Sequence, residues 1–176
     1  VAKYNANGVE QWLSRFGGTG DDQPNAVAIA GDGTIYVAGK AASAFGDENH
    51  LGGASDGYLR AIDASGTTLS TTRIGGAGDE TVSAITMASD GSFAPSAPLT
   101  AHSGGTRDAV LIKLTDGASA TVDYTTFLGS DKDETANAIT LDGTKIYLAG
   151  KTTGSLPGQT LLGDRDAFAA SFNAAD

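Results

Sequence analysis

The chain lacks many of the residues that usually carry chemistry. Its 176 residues include no cysteine, which excludes disulfides, thiolate metal sites and thiol nucleophiles. There are only two histidines and one tryptophan, and aromatic residues make up 7% of the chain. No apolar run approaches the roughly 20 residues that a membrane-spanning helix needs, so we expect no membrane span. Cysteine and a membrane-spanning run are therefore absent, and histidine and aromatic residues are scarce.

Basic residues are also scarce. Lysine and arginine together number 11 against 21 aspartates and glutamates, which gives a formal net charge of −10. Nucleic-acid binding needs lysine and arginine gathered on one face, so we expect no nucleic-acid partner. The acidic surplus is compatible with cationic partners, with Ca²⁺, or simply with a solvated surface.

Glycine, by contrast, is abundant, and it marks an internal repeat. The chain has 25 glycines, about twice the usual share, which indicates many turns. Segment 15–22 (RFGGTGDD) returns as 73–80 (RIGGAGDE) and as 127–134 (FLGSDKDE). The matched glycines at 17, 75 and 129 set a repeat of 54–58 residues.

Two further elements recur with the same spacing. The sequence of 26–39 (AVAIAGDGTIYVAG) matches 138–150 (AITLDGTKIYLAG), while the middle copy matches least over 93–106. An element opening with aspartate occurs at 56–63, 108–115 and 166–173. Each repeat therefore contains several apolar-alternating segments that are separated by turn residues.

The alternation has the period of β-strands and predicts four strands, A to D, in each repeat. The strands are separated by turns of the kind found in β-hairpins. The predicted turns are Asn7-Gly8, Asp32-Gly33, Ser65-Gly66, Asp90-Gly91, Asp116-Gly117 and Asp142-Gly143. No segment shows a helical period, so the chain is predicted to be all-β. The predicted strands are A at 25–31, 82–88 and 136–141; B at 34–40, 92–97 and 145–151; C at 1–6, 57–63, 108–115 and 166–173; D at 9–16, 67–74 and 120–128.

Four antiparallel strands in each of about three repeats predict β-propeller-like blades. A stacked β-solenoid is the alternative architecture. Residues 1–176 are expected to form one repeat domain, with a partial blade 1–17, blades 18–76 and 77–130, and an incomplete blade 131–176. Three blades rarely close a ring. We therefore expect either part of a larger propeller or closure by a partner or another copy through the open blade ends, with strand 9–16 as one candidate.

The motifs as a set resemble the bacterial SBBP β-propeller repeat. They are the DAFxA segment at 166–170, the Gly-rich acidic segment at 17–22 and the DGxIYVxG segment at 32–39. The resemblance covers nearly the whole chain. It implies a part of a large exported or cell-surface bacterial protein, in a family whose members often have no known catalysis.

The predicted strand order gathers carboxylates at one end of the blades, in the connections from D to A and from B to C. Calcium takes six to eight oxygen ligands, so Ca²⁺ is the candidate ion, with 131–134 as the best local site. The alternative is that these carboxylates cap backbone amides in the loops. The candidate metal ligands are Asp131, Asp133, Glu134, Asp21, Asp22, Asp79 and Glu80.

Two classes of function remain open. The first is a non-enzymatic structural or interaction module of an exported bacterial surface or appendage protein (flagellum, pilus or S-layer). The second is a carbohydrate-active or other hydrolytic propeller that uses loop carboxylates on an extracellular polymer.

His50 and His102 are expected to be surface residues. The leucines at 156, 161 and 162 are expected by default to pack between blades, the alternative being an exposed partner contact. Arg60 either pairs with a carboxylate or marks a contact surface.

Overall fold

The computed structural model describes residues 1–44, 49–76, 79–87, 93–100, 107–115 and 121–173. Within these ranges all regular structure is β-strand, and no helix is long and apolar enough to cross a membrane. The strands are β1 Ala2–Tyr4, β2 Glu10–Leu13, β3 Asp22–Ile29, β4 Ile35–Ala41, β5 Asp56–Ile62, β6 Thr68–Ile74, β7 Ala84–Met87, β8 Phe93–Thr100, β9 Arg107–Thr115, β10 Thr121–Leu128, β11 Glu134–Asp142, β12 Lys145–Thr152 and β13 Asp166–Asn173.

The strands form four antiparallel sheets in which each strand pairs with its neighbour in sequence. Two sheets have four strands, β3-β4-β5-β6 and β7-β8-β9-β10. The last sheet has three, β11-β12-β13, and the first is the hairpin β1-β2. We call them, in chain order, the hairpin, the first sheet, the middle sheet and the last sheet. Each of the thirteen strands lies where the sequence predicted one, with ends that differ by a few residues.

Glycine turns join several strands, as the sequence predicted. Gly8, Gly33, Gly66 and Gly143 have φ values of 76°, 90°, 93° and 58°. This left-handed region is one that glycine enters without the steric cost a Cβ imposes. The turns predicted at 90–91 and 116–117 lie outside the described residues.

The middle sheet departs most from the repeat sequence and still keeps its second strand. Residues 93–100 pair with β7 on one side and with β9 on the other, although Pro95 and Pro98 lie in this strand. Proline cannot donate a ladder hydrogen bond. The strand predicted at 92–97 is therefore present and extends to Thr100.

The apolar side chains pack between successive sheets. Tyr36 and Leu59 of the first sheet cluster with Val110 and Ile112 of the middle sheet. Leu111, on the opposite side of β9, clusters with Ile146 of the last sheet. Trp12 of the hairpin packs against the other face of the first sheet. The four sheets are thus stacked face to face in chain order.

The first strands of the sheets lie next to one another. Strand β7 contacts both β3 and β11. The connections that enter β3, β7 and β11 therefore begin close to the region where neighbouring sheets meet, and these connections carry the candidate site.

Candidate functional site

Three connections lead into β3, β7 and β11, and we call them the carboxylate loops. They comprise residues 17–22, 75–80 and 129–134, of which the structure describes all but 77–78. Each one contacts a connection between second and third strands. Ala42 N–H donates to Asp21 O, Glu80 N–H to Ser55 O, and Thr153 N–H to Asp133 O. The two sets of loops therefore lie at the same end of the sheets, as the predicted strand order requires.

One hydrogen bond recurs in all three carboxylate loops. The backbone N–H of Gly18 donates to Asp22 Oδ2 at 2.6 Å, that of Gly76 to Glu80 Oε2 at 3.0 Å, and that of Ser130 to Glu134 Oε2 at 2.8 Å. In each case the donor precedes the carboxylate by four residues. This hydrogen bond closes each loop on itself. Such capping of a backbone amide was the alternative to calcium binding for these residues.

Glu134 shows most fully how a buried carboxylate is accommodated. Its side chain is completely buried. Oε1 accepts hydrogen bonds from Ser130 Oγ at 2.7 Å and from Thr152 Oγ1 at 2.6 Å, and Oε2 accepts the Ser130 amide. These three hydrogen bonds give both buried carboxyl oxygens a partner, which offsets the cost of removing them from water.

The other candidate ligands face different surroundings. Asp21, Asp79 and Asp131 are exposed, and Asp133 is half-buried. Asp79 Oδ1 accepts a hydrogen bond from the backbone N–H of Ala54. In the described part of the chain, no three histidine, aspartate or glutamate side chains converge to hold a metal ion. Calcium at these loops stays a prediction.

A second buried carboxylate lies beside Glu80, and it is not among the metal ligands predicted from the sequence. Asp56 is fully buried at the start of β5. A Cβ on Gly75 would lie 2.7 Å from Glu80 Oε2 and 2.8 Å from Asp56 Oδ1, so both oxygens line the space left by this glycine. Asp56 Oδ2 accepts the Leu51 N–H at 2.6 Å and lies 2.8 Å from His50 Nδ1.

His50 is therefore more than the isolated surface residue predicted from the sequence, because it contacts a buried carboxylate while keeping 30% of its side chain exposed. The only signal in the sequence was the aspartate that opens the third strand of the first, middle and last sheets. That signal does not indicate a histidine partner. His102 lies outside the described residues.

Arg60 belongs to an aromatic cluster between the hairpin and the first sheet. Its guanidinium carbon lies 4.7 Å from the centroid of the Phe16 ring, and its nitrogens donate to Thr68 and Thr71 of β6. Phe16 in turn meets Tyr58 edge to face, with ring centroids 6.0 Å apart. Burial lowers the pKa of Arg60, and the nearby Tyr58 opposes that effect.

Tyr58 itself is buried in this cluster. Burial, and next the charge of Asp22, raise the pKa of Tyr58 to about 12, although Arg60 acts in the opposite direction. The phenol therefore stays neutral at any physiological pH. The cluster joins strands and sheets, and it supplies no group poised for proton transfer.

Two aspartates in hairpin turns have lowered pKa values. Asp32 accepts hydrogen bonds from the backbone N–H and the hydroxyl of Thr34, and these bonds lower its pKa. Asp63 accepts from the Ser65 hydroxyl and from the Thr67 backbone N–H, with the same result. Both side chains act as turn caps.

One loop prediction is wrong. Leu162 was expected to pack between blades, but 91% of its side chain is exposed. Its backbone N–H donates to Asp166 Oδ2 at 2.7 Å, which fixes the loop to the start of β13 and turns the side chain outward. Leu156 and Leu161 are half-buried and line a groove of about 550 Å³ beside that strand.

Comparison with known proteins finds a similar segment in a longer protein. No family model matches the chain. The chain is 28% identical, over 182 residues, to the Regulatory protein FlaEY of Caulobacter vibrioides. The match covers 89% of this chain but only 19% of the relative. The chain is thus similar to about a fifth of a longer regulatory protein.

Proposed function

We propose that the chain is a non-enzymatic, propeller-type interaction segment of an exported bacterial protein. One observation carries this proposal. Antiparallel sheets with sequential strand order are stacked face to face, and the loop entering each of three sheets is closed by the same carboxylate–amide bond. Sheets of this kind, set side by side around an axis, are propeller blades.

The position of the first strands supports a radial arrangement. Because β7 contacts both β3 and β11, these strands correspond to the inner strands of three consecutive blades. Their small alternating residues, such as Ala26 and Ala28, suit the crowding near an axis. The stack of sheets also favours blades over the solenoid alternative.

A scaffold role agrees better with the carboxylates than the hydrolytic alternative does. A general acid needs a raised pKa in a shared cleft. The buried carboxylates Glu80 and Glu134 instead accept amide hydrogen bonds within their own loops, and the aspartates with altered pKa, Asp32 and Asp63, are shifted downward. Binding to a partner requires no such group, and the relative is a regulatory protein by name.

Apolar residues that are exposed on the first and last sheets are the surfaces that we expect partners to contact. Val27 and Ile29 of β3 are 62% and 67% exposed, whereas their repeat equivalents Ile139 and Leu141 pack against the middle sheet. On the last sheet Tyr147 is 41% exposed, whereas its equivalent Tyr36 is buried between sheets. Both sheets therefore expose apolar side chains whose repeat equivalents are packed against a neighbouring sheet.

The proposed location is outside the cytoplasm, on a large surface protein or an appendage such as the flagellum. This part of the proposal rests on the resemblance to SBBP repeats and on the absence of cysteine. Antibodies against this chain should label intact bacteria that produce the native protein, as strongly as they label permeabilised cells. Labelling only after permeabilisation would contradict export. A cytoplasmic marker protein serves as the control for intact cells.

The hydrolytic alternative has its own test. Incubation of the purified chain with bacterial and plant polysaccharides should release no reducing ends above the level of a chain carrying Asp79→Asn and Asp131→Asn. A release that these substitutions abolish would establish the enzyme instead.

A further inference from the structure

The turn of the hairpin contains two neighbouring residues that can react with each other. Asn7 is followed by Gly8, and this is the one asparagine–glycine step among the six asparagines of the chain. Asn7 is exposed, and a Cβ placed on Gly8 would meet nothing within 4 Å. Glycine has no side chain to hinder the approach of its nitrogen to the asparagine side chain. The turn therefore leaves both reacting groups accessible.

The side chain of Asn7 is also unrestrained. In the described part of the chain its amide forms no hydrogen bond. Asn25, by contrast, donates its side-chain nitrogen to Val82 O at 3.0 Å. Asn5 accepts with Oδ1 the backbone N–H groups of Asn7 and Val9, both at 3.0 Å. Asn7 is therefore free to turn its side-chain carbonyl toward the nitrogen of the next residue.

An equivalent turn in the first sheet shows that the fold does not need asparagine here. Asp63 Oδ1 accepts the backbone N–H groups of Ser65 and Thr67 at 2.8 and 2.9 Å, as Asn5 Oδ1 does in the hairpin. Ser65 has the position of Asn7, and its hydroxyl donates to the same oxygen at 2.6 Å. Serine is therefore a matched replacement for Asn7 in this type of turn.

We propose that Asn7 is a site of spontaneous deamidation, and that the isoaspartyl product loosens the hairpin from the first sheet. The Gly8 nitrogen attacks Cγ of Asn7, the Cγ–Nδ2 bond breaks, and ammonia leaves with the proton of the Gly8 nitrogen. The product is a cyclic succinimide. Water then adds to one of its two carbonyl carbons and opens the ring to aspartate or to isoaspartate. The reaction consumes water and releases ammonia, and it needs no oxidant or reductant.

Ring closure requires the turn to open briefly, because Gly8 N–H donates to Asn5 O at 2.9 Å. This bond lies at the exposed tip of a two-stranded hairpin, where local opening costs little free energy. Asp32-Gly33 is a less reactive step. The backbone N–H and the hydroxyl of Thr34 both donate to the Asp32 carboxylate and lower its pKa, and a carboxylate is a poorer electrophile than an amide.

Isoaspartate changes the path of the backbone through the turn. It adds one carbon to the chain between the nitrogens of residues 7 and 8 and leaves a carboxylate as the side group. Asn5 Oδ1 binds the N–H groups of residues 7 and 9 together at their present spacing. The inserted carbon changes that spacing, so the end of the β1-β2 ladder next to the turn loses its register.

Loss of this register affects an apolar contact, because the hairpin packs on a face of the first sheet. Trp12 of β2 lies against the cluster of Ile35, Val37 and Ile62. Its indole nitrogen donates to Ala64 O at 3.0 Å. Trp12 is the single tryptophan of the chain, so tryptophan fluorescence reports on this contact alone.

The test ages the purified, folded chain in warm, mildly alkaline buffer and then applies trypsin and mass spectrometry. Cleavage after Lys3 and Arg15 releases residues 4–15, which contain Asn7. We expect Asn7 to lose its amide before the other asparagines, and the modified peptide to separate into two chromatographic forms. A protein isoaspartate methyltransferase should methylate one of these forms and not the other.

Two variants serve as controls. Asn7→Ser installs the side chain of the equivalent turn, and its peptide 4–15 should keep the amide of Asn5. Freshly prepared Asn7→Asp adds the charge without the extra backbone carbon, so its tryptophan emission should match that of the unaged parent chain. Emission of the aged parent chain should shift to longer wavelength in proportion to the isoaspartyl fraction.

Three results would overturn the inference. One is an aged chain whose residues 4–15 keep their amides while a synthetic peptide of the same residues loses them, since the fold would then protect the turn. Another is loss of the Asn5 amide in Asn7→Ser at the rate of the parent chain. The third is an isoaspartyl product with the tryptophan emission of the unaged chain. None of these changes the radial arrangement of the sheets, which is measured separately below.

Discussion

Glu134 accepts the backbone N–H of Ser130 at 2.8 Å, and the residues at the equivalent positions of the other two carboxylate loops form the same bond. A carboxylate four residues after its donor thus closes each entrance to a new sheet. The repeat conserves a hydrogen-bond pattern while it changes the residues, with aspartate in one loop and glutamate in the other two.

This bond leads to a prediction for stability. Glu134→Ala should lower the free energy of unfolding by about 3 kcal/mol, because it leaves the buried backbone N–H and hydroxyl of Ser130 without their acceptor. Asp131→Ala, an exposed change three residues earlier, should stay within about 0.5 kcal/mol of the parent chain. Urea unfolding followed by circular dichroism measures both. Equal effects of the two substitutions would contradict the assigned role of Glu134.

Glycine substitutions test how closely Asp56 and Glu80 approach Gly75. Gly75→Ala would place a methyl group within 2.8 Å of both carboxylate oxygens, so we expect a loss of about 2 kcal/mol from overpacking. A Cβ on the neighbouring Gly76 would meet nothing within 4 Å, and Gly76→Ala is therefore the control. The same unfolding experiment should separate the two variants. A harmless Gly75→Ala would mean that the two carboxylates lie farther from this glycine.

The raised pKa of Tyr58 leads to a prediction for alkaline pH. Its neutral form is favoured by folding, so this contribution to stability is complete below pH 10, the ordinary tyrosine value, and is lost as the pH rises through about 12. Ultraviolet titration should include a phenol that ionises near pH 12. Tyr58→Phe should remove one phenol from the phase near pH 12. A parent chain in which all tyrosines ionise near pH 10 would exclude the buried cluster around Phe16.

Chelation tests the calcium prediction. Since Glu80 and Glu134 already bind amide donors of their own loops, we expect EDTA to leave the melting temperature unchanged. A fall in melting temperature that Ca²⁺ but not Mg²⁺ reverses would support the metal site predicted at 131–134. Differential scanning calorimetry with and without about 1 mM EDTA distinguishes these two outcomes.

The repeat made most of the strand pattern predictable. Alternating residues and glycine turns placed all thirteen strands, because strand period and hairpin chemistry are local properties. The carboxylate loops were predicted on the same basis. The contact of His50 with Asp56 was not predicted. It depends on how the long connection between β4 and β5 folds back over the six positions that separate the two side chains. Leu162 was misassigned because sequence does not reveal whether an apolar loop residue has a neighbouring sheet to pack against.

The stacking of the sheets was inferred from the number of strands in each repeat. Its geometry depends on long-range packing, which no local sequence pattern encodes. Val27 and Ile29 illustrate this point. They have the sequence of buried strand residues, yet they are exposed, because the hairpin covers only part of their sheet. The sequence of a single repeat therefore predicts which side chains share one face of a strand. Whether that face is buried depends on the neighbouring repeat.

The radial arrangement of the sheets is the central claim, and one distance measurement tests it most directly. The chain has no cysteine, so spin labels attach only where cysteine is introduced. One doubly labelled variant carries Gly31→Cys and Thr144→Cys, in the inner turns of the first and last sheets. Another carries Ala64→Cys and Asn173→Cys, near the outer strands of the same two sheets. Pulsed electron double resonance should give a clearly shorter distance for the inner pair than for the outer pair. Equal distances, or a shorter outer distance, would contradict a propeller and indicate parallel layers.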